Sequence, residues 1–251
     1  MNTKLNKEKS IKDKNIENQF YNLWEQYSKV CENGLVKIHP LREAAETLED
    51  MLSPCPGGII HEGGCGDGYW MISHLKKTKA NKIIGTDFSE GMLKKAKENI
   101  QNSDPSLLNQ IELREMDLTK DWPEGNFDAQ IFQMFFCYLP FEKWKLILEK
   151  ASQTTKLGGY IYSSNFVQGC NFIKMYKEHL SEILKINLIF YIPFLIKTRW
   201  YTKTTDKWLK DGTIRYPSKE ELIDFHKQLG LEIVEIKEIW WGGGITIKAK
   251  K

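Results

Sequence analysis

The chain has 251 residues, of which 41% are hydrophobic and 27% charged. A chain of this make-up can bury a large core, so global disorder is excluded, and the length favours one elaborated domain over two full ones. Lys and Arg outnumber Asp and Glu by only 36 to 33, so charge alone gives no case for a nucleic-acid binder.

Residues 1–15 are polar and Lys-rich, and read as a mobile basic tail without the apolar stretch of a signal peptide. From Ile16 the pattern turns helical, with Phe20, Leu23, Trp24 and Tyr27 on one face. A second helix buries Leu41, Ala44, Ala45, Leu48 and Met51, and Ser53-Pro54-Cys55-Pro56-Gly57 ends it. Strand and helix then alternate. The spacing predicts a strand over 58–61, a glycine-rich loop from Gly63 to Gly68 and a helix from Tyr69 to Lys77. A second strand, Lys82 to Thr86, ends at Asp87, and Ser89 caps a helix that buries Leu93, Ala96 and Ile100. A third strand, Ile111 to Met116, ends at Asp117, and a fourth runs from Phe127 to Phe132. Trp144, Ile147, Leu148 and Ala151 mark a helix, and Leu157-Gly158-Gly159 is expected to turn the chain into a fifth strand, Tyr160 to Ser164.

Residues 165–216 break the rhythm with a helical, aromatic-rich segment. Ser218 and Glu221 then form a capping box for a helix lined by Leu222, Phe225 and Leu229. Strands Leu231–Ile239 and Ile245–Ala249 are joined by Trp240-Trp241-Gly242-Gly243-Gly244, too short for a crossover helix, so they should pair antiparallel. The whole predicts an α/β, doubly wound, seven-stranded Rossmann-like sheet with an antiparallel C-terminal strand, N-terminal helices and a helical cap insertion.

Ligands of such sheets lie over the carboxyl ends of the strands. After the first strand stands Glu62-Gly63-Gly64-Cys65-Gly66-Asp67-Gly68. A dinucleotide fingerprint fails here, because its third glycine falls on Tyr69 or Met71, and no Gly-Lys-Ser/Thr follows for a P-loop. What remains is acidic-x-Gly-x-Gly-x-Gly: Glu62, Gly64, Gly66, Gly68. Gly85-Thr86-Asp87-Phe88-Ser89, Met116-Asp117-Leu118, Phe127 to Gln133 followed by aromatics and Leu139-Pro140, and Leu157-Gly158-Gly159 come after it in order.

In these motifs the chain resembles the class I S-adenosylmethionine-dependent methyltransferases, near the small-molecule type 11 group, over residues 16–251. One departure is the last turn, where the family often has Pro and this chain has Lys156-Leu157. The resemblance implies S-adenosyl-L-methionine as cofactor. It puts the loop glycines under the methionine part and Glu62 towards its amino group. Asp87 would take the ribose hydroxyls, Phe88 would pack on the adenine, and Asp117 and the Leu118 N–H would read the adenine edge. Gln133 would pass the sulfonium, and Tyr21 or Tyr27 would reach the methionine carboxylate. A positive amine and a sulfonium suit a loop acid that would repel a pyrophosphate.

The segments then divide as a tail (1–15), an N-terminal helical cover (16–53), a cofactor-binding core (54–165), a lid insertion (166–216) and a C-terminal helix and hairpin (217–251), in one domain. His179, Tyr138 and Asn165 are the candidate bases or acceptor orienters. The expected acceptor is a small molecule with an aromatic or apolar part. No Asn/Asp-Pro-Pro-Tyr/Phe follows the fourth strand, where Gln133-Met134-Phe135-Phe136 stands, which disfavours nucleotide flipping. Plainer readings stand beside several of these. Asp117 can simply cap a turn at Thr119, Cys65 can be a small spacer, His61 packed or exposed, and Asp128 structural. Trp240-Trp241 is either a hairpin bulge or a pocket wall. A non-catalytic module on the same fold is the alternative from another class. Five scattered cysteines without C-x-x-C, no metal-ligand spacing and no long apolar run give the expectation of a metal-free, cytoplasmic monomer or homodimer without a membrane span.

Overall fold

The computed structural model describes residues 39–170, 203–204 and 206–251. The expected helix around Tyr21 and Tyr27, and the part of the insertion that holds His179, lie outside them. Helix α1 (His39–Met51) precedes β1 (Ile59–Gly63), α2 (Tyr69–Thr78), β2 (Lys82–Asp87), α3 (Glu90–Ser103), β3 (Ile111–Glu115) and β4 (Phe127–Gln133). Then come α4 (Phe141–Thr154), β5 (Thr155–Phe166), α5 (Lys219–Gln228), β6 (Glu232–Ile239) and β7 (Gly244–Lys250).

Among the described residues seven strands form one sheet, in the order β3-β2-β1-β4-β5-β7-β6. Neighbours from β3 to β5 are parallel, while β7 is antiparallel to both β5 and β6. Two reversals restore the direction, so β6 runs with β1–β5 and ends at the same edge. The order switches between β1 and β4, the place where doubly wound sheets bind ligands.

Each face of the sheet is covered. Ile60, Ile83, Ile111, Ala129, Ile131 and Tyr162 meet Leu48 and Met51 of α1, Met71 and Leu75 of α2 and Ile100 of α3. The register explains the set, since Ile60 pairs with both Ile83 and Ala129, and Ile131 with Tyr162, so all point one way. On the other face Phe132, Ile161, Ile245, Ile247 and Ala249 meet Trp144, Ile147 and Leu148 of α4 and Leu222 and Phe225 of α5. Trp144 is fully buried, and its indole N–H donates to the Leu139 carbonyl at 2.9 Å, which satisfies its one polar atom.

The helix starts follow the sequence. Ser89 Oγ accepts from Met92 N at 3.3 Å, and Ser218 and Glu221 make the reciprocal box. Two strand boundaries depart from expectation. β1 continues through Glu62 and Gly63, which makes Glu62 a buried strand residue. The fifth strand starts at Thr155, directly after α4, and the expected turn at Leu157-Gly158-Gly159 is a bend inside it. Gly158 takes φ 81°, the β4 pairing shifts register between Phe127 and Ala129, and the end of β7 closes the bend. Gly158 N donates to Lys251 O at 2.7 Å, and Lys251 N to Gly159 O at 3.0 Å. No described helix is long and apolar enough to cross a membrane.

Candidate functional site

The carboxyl edge of the sheet gathers the sequence candidates. Gly64 N and Cys65 N both donate to the Thr86 carbonyl, at 2.7 and 3.0 Å, so the loop after β1 is pinned to β2. Gly64, Gly66 and Gly68 all have positive φ (68°, 56° and 67°). Their surroundings differ. A Cβ on Gly64 would overlap the Phe135 ring, and one on Gly68 would lie 2.9 Å from the Ala96 Cβ of α3. A Cβ on Gly66 would meet nothing nearer than the Met92 methyl at 3.8 Å. Two of the glycines therefore permit packing within the chain, and the third leaves room for a methyl at ordinary contact distance.

Glu62 is 3% exposed and lies on the same face of the sheet as Ile60. Its Oε2 is 2.7 Å from Nδ1 of His74, a fully buried residue on the inner face of α2. Asp87 closes β2. Its Oδ2 accepts from Gly66 N and its Oδ1 from Ser89 N, each at 3.0 Å. The carboxyl keeps some access to solvent, yet burial outweighs these donors and pushes its pKa up to about 6. Phe88 beside it is half-buried. Asp117 Oδ1 accepts from the Thr119 amide and hydroxyl at 3.0 and 2.8 Å, and Oδ2 pairs with Lys120 at 3.1 Å. The turn-capping role is thus present; it fixes the carboxylate at the end of β3 with part of its surface open. Leu118 is buried, with its side chain against Gly63.

Gln133 ends β4, and its Oε1 is a buried acceptor with no partner among the described residues. Met134 then takes φ 52°, which turns the chain so that Phe135 lies against Gly64 and packs on Phe132 and Phe136. Gln133 pairs with Ser164, and Ser164 with Thr246, so the three share one row on the α1 side. Asn165 points to the opposite face. It is 1% exposed and its amide donates to Ser163 Oγ at 3.1 Å, so the structure does not bring this candidate to Gln133. Tyr138 lies in the turn Phe136–Tyr138 after β4, at the right edge, though its side chain is outside the described set. His179, Tyr21 and Tyr27 fall outside the described residues altogether.

The plainer readings hold at three positions. His61 is fully buried, bonded to Gln130 and Thr86 at 2.9 and 3.0 Å, and desolvation lowers its pKa to about 4. Burial drives the Cys65 thiol well above its ordinary range, which makes it inert. Asp128 accepts from Ile59 N and pairs with Lys156, both at 2.8 Å, and so ties β1 to β4 and β5.

Sequence reasoning missed His74, Phe135 and the form of the β6–β7 turn. His74 carried a faint signal, since it shares the helical spacing of Met71, Leu75 and Thr78. Trp240 and Trp241 both take positive φ, 53° and 54°. Trp240 is buried on Phe166 with ring centroids 4.5 Å apart, while Trp241 stays 54% exposed at the same edge as the site.

The donor and acceptor balance describes the ligand that fits. Glu62, Asp87 and the orphaned Gln133 Oε1 are all acceptors, carried at the carboxyl ends of β1, β2 and β4. Such a site suits a molecule that brings N–H and O–H donors and a positive charge, and it opposes a phosphate. S-adenosylmethionine, with its ammonium, sulfonium and ribose hydroxyls, meets that description.

Residues 60–159 match the family model for a methyltransferase domain. Over 241 residues the chain is 25% identical to the demethylmenaquinone methyltransferase of Oceanobacillus iheyensis, with 94% of each chain covered. Among solved structures, the DhpI–SAH complex superposes with a TM-score of 0.62 at 17% identity, covering 94% of this chain and 96% of that one. Geranyl diphosphate C-methyltransferase of Streptomyces coelicolor, with Mg2+, geranyl diphosphate and S-adenosyl-L-homocysteine, gives 0.58 at 13% identity, covering 82% and 77%. With the strand order, the glycine loop and this domain match in agreement, residues 60–159 form a methyltransferase domain, and the chain as a whole is similar to the class I S-adenosylmethionine-dependent methyltransferases.

Proposed function

We propose that this methyltransferase uses S-adenosylmethionine to methylate an apolar small molecule with a flat aromatic part, of the demethylmenaquinone kind named for its relatives. The observation that carries the cofactor half is the set of acceptors at the carboxyl ends of β1, β2 and β4, Glu62, Asp87 and Gln133 Oε1, with Gly66 N bonded to Asp87. The acceptor half rests on the apolar cluster of Phe166, Trp240, Met134 and Tyr216 at the same edge, and on the relatives' names. A cytoplasmic location is part of the proposal.

When bound, the cofactor supplies a methyl group on a positively charged sulfur. The chain's part is to hold it in line with the acceptor and keep water out. In this reading Gly64, Gly66 and Gly68 let the backbone lie close to the methionine part, and Glu62 faces its ammonium. Asp87 accepts from the ribose hydroxyls. Phe88, Asp117 and Leu118 frame the adenine, and Gln133 offers its free oxygen near the sulfonium. Tyr21 or Tyr27 is assigned the methionine carboxylate. Of the base candidates His179 and Tyr138 are retained, because Asn165 faces the opposite core. A base is needed only where the acceptor must lose a proton.

The test is a thermal-shift titration with S-adenosylmethionine, S-adenosylhomocysteine and NADH. The two sulfur compounds should stabilise the fold, by roughly 2.7 kcal/mol at a hundred times the dissociation constant, and NADH should not. A short-chain demethylmenaquinone should then be methylated. No shift with either sulfur compound overturns the cofactor assignment; a shift without turnover of this or other flat apolar acceptors favours a non-catalytic module.

A further inference from the structure

We infer that His74 is a positioning residue for the cofactor's ammonium, acting through Glu62; the inference rests on the reading of Glu62 above. A carboxylate buried to 3% exposure is costly unless several groups stabilise it. Among the described residues, one side chain is seen to do so, His74, through a single 2.7 Å hydrogen bond to Oε2. The imidazole is itself held firmly. It belongs to the second turn of α2, where Met71, Leu75 and Thr78 are buried with it, and the His74 carbonyl accepts from the Thr78 hydroxyl at 2.7 Å.

The second ring nitrogen decides what the pair does. His74 Nε2 is buried and has no partner among the described residues. A proton on that nitrogen would be a donor left unpaired in an apolar environment, a costly arrangement. The tautomer that leaves no buried N–H unpaired carries its proton on Nδ1 and donates it to Glu62 Oε2. The bond fixes the Glu62 rotamer through Oε2 and leaves Oε1 as the oxygen for an incoming cation. Among the described residues no Lys or Arg pairs with Glu62, which stands at the end of β1 beside the glycine loop. An ammonium delivered by the ligand would supply that partner.

The experiment measures S-adenosylhomocysteine affinity by calorimetry, and melting temperature in parallel, for the whole chain. The variants are H74N, H74L, E62Q and E62Q/H74L. Asn can place an amide donor near the position of Nδ1, so H74N should bind within about threefold of wild type. H74L and E62Q should each weaken binding by about tenfold, a step of about 1.4 kcal/mol. The double variant should bind as E62Q does, because His74 acts only through Glu62. Unchanged affinity in H74L, or a double variant more than about threefold weaker than E62Q, overturns the inference. Should H74L fail to fold, E62Q/H74L, which carries no uncompensated carboxylate, still makes the decisive comparison with E62Q. Unchanged affinity in E62Q alone removes Glu62 from the cofactor site and the inference with it. Absence of binding by the wild type is the separate failure of the proposed function.

Discussion

Asp87 is drawn in opposite directions by folding and by its proposed ligand. Its carboxyl shifts from an ordinary 3.8 to about 6 because burial disfavours the charge. Between those values the folded protein holds a proton that the unfolded chain has released. Its contribution is therefore full below about 4 and is lost as pH rises through about 6. Ribose hydroxyls need the ionised form as acceptor, so affinity for S-adenosylhomocysteine should fall as the pH drops below about 6. Asp87→Asn should flatten both trends and weaken binding at neutral pH. Calorimetry and thermal melts across pH 4 to 8 check this, and an unchanged pH profile of affinity removes the ribose role. Asp87 was legible because it stands after an apolar strand. The Glu62–His74 pair was not, since the two residues are twelve apart and meet only when α2 folds back along β1. Phe135 was equally hidden, because its place against Gly64 depends on the left-handed turn at Met134.

The glycine loop separates two duties that its sequence pattern presents as one. All three glycines need positive φ, so alanine at any of them carries backbone strain of about 1 kcal/mol. Gly68→Ala should cost more, about 2 to 4 kcal/mol in all, because its Cβ would press on Ala96 and force α3 to shift. Gly66→Ala should cost the strain alone, because its Cβ meets only the Met92 methyl at an ordinary 3.8 Å. The order should invert for ligand binding, with Gly66→Ala losing more affinity than Gly68→Ala. Denaturant melts and calorimetry on the two variants read both orders, and equal binding losses would show that Gly66 does not border the ligand. Helix faces and caps at this scale were legible because their spacing is local. The bend at Gly158 was not. A Gly-Gly pair signals a turn, and only pairing with β4 and Lys251 reveals a strand that runs through it.

Across the whole molecule the strand order does what no single motif can. It brings residues 64–68, 87–89 and 133–135 to one edge, on either side of the switch between β1 and β4. Binding of S-adenosylhomocysteine should therefore slow amide exchange in these three segments together, while α5, on the far side of the sheet, should be little affected. Protection confined to one segment would contradict a shared site. The alternation of strands and helices made this architecture legible from the sequence, and the antiparallel pairing of the last two strands followed from a short connection. The direction of β6, which places Trp241 at the ligand edge, followed only from the observed order.

That order also constrains how the protein is made. β7 lies between β5 and β6, although both precede it in the sequence. As the chain leaves the ribosome, β6 has no described strand to pair with, and β5 presents an open hydrogen-bonding flank, until residues 244–250 have emerged. A nascent chain stalled or cut before Gly244 would carry unpaired edges on both β5 and β6, the kind of surface on which chains stick to one another.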